Sequence, residues 1–197
     1  MMVEPKVKQA RVVMVGDSAV GKTSILNQLV DHTFNQFEQS TIGSNYQIFV
    51  EDIGDIKVEM QIWDTSGQEK FRSLGPIYYR NAIASVAVYD QTIPTSYQHL
   101  ESWVREVIEV AGPSTIIAIA ANKCDLTGKE QISFEEAKSW AKSRGFIIEQ
   151  TSALNGTGIY KLFSRLAASI VNVNQEQELG KDINRKINTG QQKKCEC

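Results

Sequence analysis

The stretch Gly16-Asp-Ser-Ala-Val-Gly21-Lys22-Thr23 decides how the rest of the chain can be interpreted. It matches the pattern G-x-x-x-x-G-K-[ST], follows the apolar run Val12-Val-Met-Val15 and precedes a helical apolar pattern that starts at Ile25. A strand, a glycine-rich loop and a helix in this order form a cradle of backbone N–H groups around a phosphate. Lys22 can reach the outer phosphates and the Thr23 hydroxyl can bind Mg²⁺. We therefore expect a phosphate-binding loop, because an ordinary glycine turn has no use for the Lys-Thr pair.

Apolar runs and helical patterns alternate along the chain after this loop. Buried strands are predicted at residues 83–89, 115–121 and 146–150, in addition to the first strand. Residues 46–62 alternate with period two around Gly54-Asp55, which predicts a half-exposed hairpin with Tyr46, Ile48 and Val50 on one face. Such alternation is typical of an α/β fold: a mostly parallel sheet, covered on both faces, with one antiparallel edge strand. Ligands of these sheets bind at the carboxyl ends of the strands.

Length and composition exclude several classes of protein. The 197 residues suit one domain, and the net charge of −2 disfavours a nucleic-acid binder. Three cysteines are too few for a disulfide scaffold. Every apolar run falls well short of the roughly 20 residues of a transmembrane helix, and the N-terminus does not resemble a secretory signal. We expect a reducing, cytosolic compartment, and we interpret His32 and His99 as ordinary histidines because neither has a partner at metal-ligand spacing.

A second motif, Asp64-Thr-Ser-Gly67-Gln68-Glu69, follows the predicted strand that ends at Trp63. An acid at a strand end beside a phosphate loop can hold Mg²⁺ through water. Gly67 allows its backbone N–H to approach a terminal phosphate, and Gln68 can orient an attacking water. The alternative, an ordinary turn, fits the motif in isolation but not its position after the phosphate loop.

A third motif, Asn122-Lys-Cys-Asp125, follows the strand predicted at residues 115–121. The Asp125 carboxylate can accept two hydrogen bonds from the N1–H and 2-amino edge of guanine, whereas adenine offers neither donor. Thr151-Ser-Ala153, after the next strand, can supply a backbone N–H to the guanine O6. A plain polar turn is the alternative for four such residues alone. Three motifs in the right order, each at a strand end, favour a guanine-nucleotide site.

With these motifs the sequence resembles the small GTPases of the Ras superfamily, and the Rab family most closely. Within Rab, Ser40-Thr-Ile-Gly43, Trp63-Asp-Thr65, Leu74-Gly-Pro-Ile-Tyr-Tyr-Arg80 and Ala19 are most similar to the early-endosomal branch. The resemblance implies a three-layer P-loop NTPase with a Ras-like G domain over residues 7–173. It further implies a six-stranded, mostly parallel sheet with one antiparallel edge strand and about five helices.

The resemblance also implies a role for individual residues. Gln68 would be catalytic, Thr41 would contact Mg²⁺ and the γ-phosphate, Phe34 would lie against the guanine and Lys123 would cover one face of the base. The metal ligands would be Thr23, Thr41 and, through water, Asp64. The full GTP-binding set would be Ser18, Ala19, Val20, Gly21, Lys22, Thr23, Ser24, Phe34, Thr41, Gly67, Asn122, Lys123, Asp125, Ser152 and Ala153.

Two further features depend on the family pattern. Tyr46, Trp63 and Tyr78 match the aromatic triad that Rab effectors read, although plain core packing would also explain aromatic residues there. The sequence departs from the family at Ser66, where Ala is usual, and at Leu154, where Lys is usual. The first departure bears on the hydrolysis rate, and the second on packing over the base.

The end of the chain, Lys193-Lys-Cys195-Glu-Cys197, resembles the C-x-C ending of Rab proteins, in which both cysteines carry geranylgeranyl groups. Two lipid chains anchor a protein stably where one does so only marginally. Residues 174–197 are rich in Asn, Gln, Lys and Glu, which predicts a flexible hypervariable tail with little electrostatic attraction to lipid. The alternative is a disordered terminus with two incidental cysteines.

These features predict a Rab-type GTP/GDP switch that hydrolyses Mg-GTP slowly and recruits effectors to membranes in its GTP state. The implied partners are an exchange factor, a GTPase-activating protein, effectors, a GDP-dissociation inhibitor and a prenylation escort protein. We expect a monomer on the cytoplasmic face of endosomal membranes that cycles with the cytosol. Two alternatives remain: a P-loop kinase of small metabolites, which would need an arginine-rich lid, and a module that binds nucleotide without turnover.

Overall fold

The computed structural model describes residues 6–173, so the expected tail and its two terminal cysteines lie outside the described residues. Six strands form one sheet: β1 (Lys6–Val15), β2 (Ser44–Ile53), β3 (Ile56–Thr65), β4 (Ala84–Asp90), β5 (Ile116–Asn122) and β6 (Ile147–Gln150). Their order in the sheet is β2-β3-β1-β4-β5-β6. Only the β2–β3 pair is antiparallel, and every other pair is parallel. The predicted α/β class and sheet are confirmed.

Helices connect the parallel strands, as right-handed crossovers require. They are α1 (Lys22–Val30), α2 (Gly75–Tyr79), α3 (Pro94–Gln98), α4 (Leu100–Ala111), α5 (Phe134–Ser143) and α6, which is described over residues 159–173. A 3₁₀ helix at Glu69–Leu74 precedes α2. The N–H of His99 bonds to Thr95 and the N–H of Trp103 bonds to His99, so α3 and α4 are two parts of one interrupted helix. Counted in this way the described chain has the predicted five helices.

The two faces of the sheet carry two separate hydrophobic clusters. Alternate residues of β1 point to opposite faces, as the pleat requires. Val12 and Met14 pack in one cluster with α1 and α6, whereas Val13 and Val15 pack in the other with α4 and α5. This arrangement produces the three layers. Within the described residues, no helix is both long and apolar enough to cross a membrane.

The hairpin of β2 and β3 turns an apolar row outward. Tyr46, Ile48 and Val50 do share one face of β2, but 51%, 44% and 44% of these residues is exposed. Val58, Met60 and Ile62 of β3 face the core on the other side of the sheet. The inward row of β2 contains Phe49, whose ring lies 6.2 Å from that of Phe163. Period two therefore identified the faces of each strand correctly but did not reveal which face of β2 meets solvent.

Candidate functional site

The carboxyl ends of β1, β3, β5 and β6 surround two adjoining cavities. One, of about 310 Å³, lies between the phosphate loop and residues 34–41 and 65–67. The other, of about 440 Å³, extends along the base-reading motifs. Both cavities are lined by Gly21, Ser24, Phe34, Gln36 and Lys123, so they form one continuous cleft. Each half falls in the range of about 300–1,000 Å³ that is typical of small-molecule pockets.

The phosphate loop curls around the side chain of Lys22. Its ammonium donates hydrogen bonds to the carbonyls of Gly16 at 2.9 Å and Asp17 at 2.7 Å, and only 6% of the residue is exposed. Burial lowers the pKa of Lys22 to about 8, against the opposing attraction of Asp64 and Asp17. A buried ammonium held directly by neutral carbonyls favours an anionic ligand next to it.

Three oxygen-bearing side chains converge beside this loop. Thr23 Oγ1 donates to Asp64 Oδ2 at 2.6 Å, and Thr41 Oγ1 lies 3.2 Å from that oxygen and 2.8 Å from Thr23 Oγ1. Burial raises the pKa of Asp64, while the hydrogen bond from Thr23 and the charge of Lys22 lower it. Asp64 Oδ1 is buried and has no hydrogen-bond partner among the described residues.

This donor set fits Mg²⁺. Hydroxyl and carboxylate oxygens are hard ligands, and Mg²⁺ is commonly held by one or two protein groups together with water and substrate phosphates. The unpaired Asp64 Oδ1 supplies an acceptor for a metal-bound water. Residues 6–173 contain no cluster of three or more His, Cys, Asp or Glu that could hold a metal.

Gly67 lies directly against the phosphate loop. A Cβ at this position would be 2.4 Å from the carbonyl carbon and oxygen of Asp17, which leaves room only for glycine. The adjacent Ser66 donates its N–H to the carbonyl of Gly43 at 3.1 Å, which joins the segment after β3 to the segment before β2. Gln68, the expected catalytic residue, is not among the residues that line the phosphate cavity.

Asn122 connects the base-reading side of the cleft to the phosphate loop. Its Nδ2 donates to the carbonyl of Val20 at 2.8 Å, and its Oδ1 accepts from the Thr151 hydroxyl at 3.2 Å. A Cβ on Gly21, whose φ is +97°, would be 2.4 Å from that amide nitrogen. Asn122 is therefore a brace between strand β5 and the loop.

Lys123 and Asp125 are also held in defined positions. The Lys123 ammonium bonds to the carbonyl of Ala19 at 2.9 Å and lies 2.7 Å from an oxygen of Asp90. Asp125 Oδ1 accepts a 2.5 Å hydrogen bond from the Ser152 hydroxyl. Asp90 was not identified from the sequence, since an acid at the end of β4 belongs to no motif recognised there.

The residues of the predicted GTP-binding set divide into two groups by their position relative to the cleft. Ser18, Ala19, Gly21, Lys22, Thr23, Ser24, Phe34, Thr41, Gly67, Asn122, Lys123, Asp125 and Ala153 line the cleft. Val20 and Ser152 are buried behind its wall, where they contact Asn122 and Asp125 as described above.

The aromatic triad lies away from the cleft, along the outer face of the hairpin. The rings of Tyr46 and Trp63 are stacked 5.5 Å apart, and the rings of Trp63 and Tyr78 are 6.2 Å apart. Tyr46 is half exposed. The alternative of plain core packing does not describe this residue.

No motif in the sequence indicated the contacts that hold Asp17. His99 Nδ1 lies 2.8 Å from Asp17 Oδ2, and Trp103 Nε1 donates to Asp17 Oδ1 at 2.8 Å. The two partners are on the α3–α4 stretch, far from the loop in sequence. His99 is thus a partner of the phosphate loop and not an isolated surface residue.

Replacing Asn122 with Ala should destabilise the protein by about 2 kcal/mol or more, because the buried Val20 carbonyl and Thr151 hydroxyl would lose a partner. The free energy of unfolding in urea measures this effect. Asn45→Ala, on the exposed start of β2, is the matched control and should change the free energy by less than about 0.5 kcal/mol. Equal effects of the two substitutions would show that Asn122 is not a brace.

Comparison with known proteins agrees with this geometry. Residues 11–172 match the Ras family. The chain is also similar to a Ras-related protein Rab5A from Oryza sativa subsp. japonica, with 36% identity over 173 residues, which covers 88% of this chain and 85% of the relative. Rab5 is the Rab branch that the sequence resemblance indicated, and a P-loop kinase of metabolites is excluded. The chain therefore belongs to the Ras family and is a Rab-type small GTPase.

Proposed function

We propose that this GTPase is a Mg²⁺-dependent GTP/GDP switch that regulates endosomal membrane traffic. One observation carries the proposal: a single cleft joins an oxygen-rich corner at Thr23, Thr41 and Asp64 to a carboxylate at Asp125. A triphosphate and a purine base attached to one ribose would fill the two halves.

Guanine is the base that suits the half of the cleft lined by Asn122, Lys123 and Asp125. Asp125 is fixed by the Ser152 hydroxyl, so its second oxygen remains available to a donor at the base edge. Guanine presents N1–H and the 2-amino group to such a carboxylate, whereas adenine presents an acceptor at N1. The aliphatic stem of Lys123 and the ring of Phe34 border the same space and can cover the faces of the base.

Mg²⁺, when bound, would neutralise part of the charge on the phosphates. The chain contributes the Thr23 and Thr41 hydroxyls as ligands and Asp64 as an acceptor for metal-bound water. Lys22 adds a fixed positive charge at the outer phosphates. Gly67, pressed against Asp17, offers its backbone N–H at the same end of the cleft.

Hydrolysis without a partner should be slow. No arginine is among the residues of the described chain that line the phosphate cavity, so the positive charge that an arginine finger supplies is missing. Gln68 does not line that cavity. We expect an unaided rate of about 10⁻⁴ s⁻¹, the order quoted for Ras, and acceleration by an activating protein that brings an arginine.

The nucleotide state can be transmitted through two segments, which we call switch I (residues 34–43) and switch II (residues 65–80). Thr41 in switch I and Gly67 in switch II would both respond to a terminal phosphate, and loss of that phosphate would release them. Both segments adjoin the outer aromatic surface of Tyr46, Trp63 and Tyr78. Effectors that read this surface would then distinguish the GTP form from the GDP form.

Membrane attachment would come from geranylgeranyl groups on Cys195 and Cys197. Two such chains provide stable anchoring without a polybasic segment. A cycle between membrane and cytosol then requires a GDP-dissociation inhibitor, and lipidation requires a prenylation escort protein. The similarity to a Rab5A supports an endosomal membrane as the destination. The match to the Ras family ends at residue 172, which supports the proposal that residues 174–197 are a separate tail.

Replacing Asp125 with Asn should lower GTP affinity by roughly 10- to 100-fold, since one hydrogen bond to a charged group contributes about 1.5–3 kcal/mol. The new amide donor should favour xanthine, whose O2 is an acceptor. Titration with fluorescent guanosine and xanthosine nucleotides measures both effects. Asp55→Asn, at the exposed hairpin turn, is the control, and unchanged GTP affinity in the Asp125 variant would contradict the assignment of the base.

Replacing Gln68 with Leu should lower the single-turnover hydrolysis rate by at least about tenfold, because the side chain could no longer orient a water. GTP affinity should change little, since Gln68 does not line the cleft. Gln9→Leu, at an exposed position in the first half of strand β1, is the matched control. A rate equal to that of the wild type would remove Gln68 from the mechanism.

Replacing Cys195 and Cys197 together with Ser should move the protein from the membrane fraction to the cytosol of expressing cells, with nucleotide affinity unchanged. Fractionation with immunodetection measures the distribution. Cys124→Ser tests whether loss of any cysteine has the same effect, and it should leave the distribution as in the wild type. A double variant that stays on membranes would rule out lipid anchoring at these residues.

A further inference from the structure

Ser66 lies in switch II, where this segment meets switch I and the phosphate loop. It is 8% exposed, its N–H bonds to Gly43 in switch I, and the next residue, Gly67, is pressed against Asp17. Its side-chain oxygen accepts the backbone N–H of Gln68 at 3.3 Å. The hydroxyl therefore holds the turn that carries the residue expected to orient water.

The proton of the Ser66 hydroxyl is available as a hydrogen-bond donor. A serine hydroxyl can accept and donate at once. Within residues 6–173, the oxygen of Ser66 is used as an acceptor and its proton has no acceptor. Ser66 lines the phosphate half of the cleft together with Thr65 and Gly67. A buried donor without a partner at the wall of an anion site is suited to a phosphate oxygen.

We propose that Ser66 is a specificity-determining residue. Its hydroxyl donates a hydrogen bond to the terminal phosphate of GTP and thereby couples that phosphate to the position of Gln68. The alanine that is usual at this position in the family has no such donor. The proposal rests on the proposed GTP/GDP function and adds one contact to it.

The coupling has a simple physical basis. When a hydroxyl donates to an anion, its oxygen becomes a stronger acceptor, so successive hydrogen bonds reinforce one another. A terminal phosphate would therefore strengthen the bond from Gln68 N–H to Ser66 Oγ. GDP lacks that phosphate and would leave the bond at its ordinary strength. Ser66 should contribute to binding of GTP but not to binding of GDP.

The direct test is equilibrium binding of GDP and of a non-hydrolysable GTP analogue, each with Mg²⁺, to the full-length chain and to Ser66→Ala. The variant should bind the analogue about tenfold more weakly, the lower end for a hydrogen bond to a charged group, and GDP within about twofold of wild type. Ser66→Gly, which also lacks the hydroxyl, should behave in the same way. Ser85→Ala is the control, because Ser85 is also a buried serine but lies on β4, outside the cleft.

A second readout tests the connection to Gln68. Ser66→Ala should lower the single-turnover hydrolysis rate of the otherwise wild-type protein and leave the rate unchanged in a Gln68→Leu background. A rate that falls equally in both backgrounds would overturn the coupling.

The outcomes separate this proposal from the function on which it rests. If the wild type binds guanine nucleotides but the Ser66 variants keep its ratio of GTP-analogue to GDP affinity, the role of Ser66 is wrong and the function stands. If affinity for both nucleotides falls equally, Ser66 is only structural and the proposal is overturned. If the wild type binds neither nucleotide, the proposed function fails, and the role of Ser66 fails with it.

Discussion

The shape of the phosphate loop is the constraint on which the rest of the structure depends. The loop is wrapped around a buried ammonium, and its backbone carbonyls are the partners of Lys22. Carbonyls that point inward expose the loop's N–H groups to an anion, which is what makes this turn a phosphate site. A loop in this conformation is not held by a helix or a sheet ladder. Other parts of the fold must therefore fix it from outside.

Several elements contribute to this fixing, each through a different contact. Strand β5 supplies Asn122, which binds the Val20 carbonyl, and the turn that follows supplies Lys123, which binds the Ala19 carbonyl. The α3–α4 stretch holds the Asp17 side chain through His99 and Trp103. Gly67 lies against the Asp17 backbone. A change at the phosphate end can therefore reach the base-reading strand and switch II through direct contacts with one loop.

The sequence predicted the strand-end motifs well because each motif combines a local conformation with a chemical requirement. The phosphate loop follows strand β1, Asp64 and Asn122 fall at the ends of β3 and β5, and the topology of a parallel sheet then brings strand ends together. Contacts between distant elements left no comparable signal. Trp103 and His99 read as ordinary positions of a helix, and alternation in β2 did not tell whether Phe49 or Tyr46 meets the core. The contacts of His99 and Trp103 and the choice of the covered face of β2 both depend on tertiary packing. For a strand, periodicity identifies the two faces but does not show which one is covered.

A displacement titration tests most directly that this cleft is built for Mg²⁺ and guanine nucleotides. The full-length protein, loaded with fluorescent GDP, is titrated with GTP and with ATP, each with Mg²⁺ and with EDTA. GTP should displace the probe at a concentration at least about a hundredfold lower than ATP, because adenine leaves the Asp125 carboxylate without its donors. EDTA should weaken the binding of GTP, because the site formed by Thr23, Thr41 and Asp64 would lose the ion that it is suited to bind. Equal displacement by ATP and GTP would contradict the assignment of the cleft. So would a GTP affinity that is the same with Mg²⁺ and with EDTA.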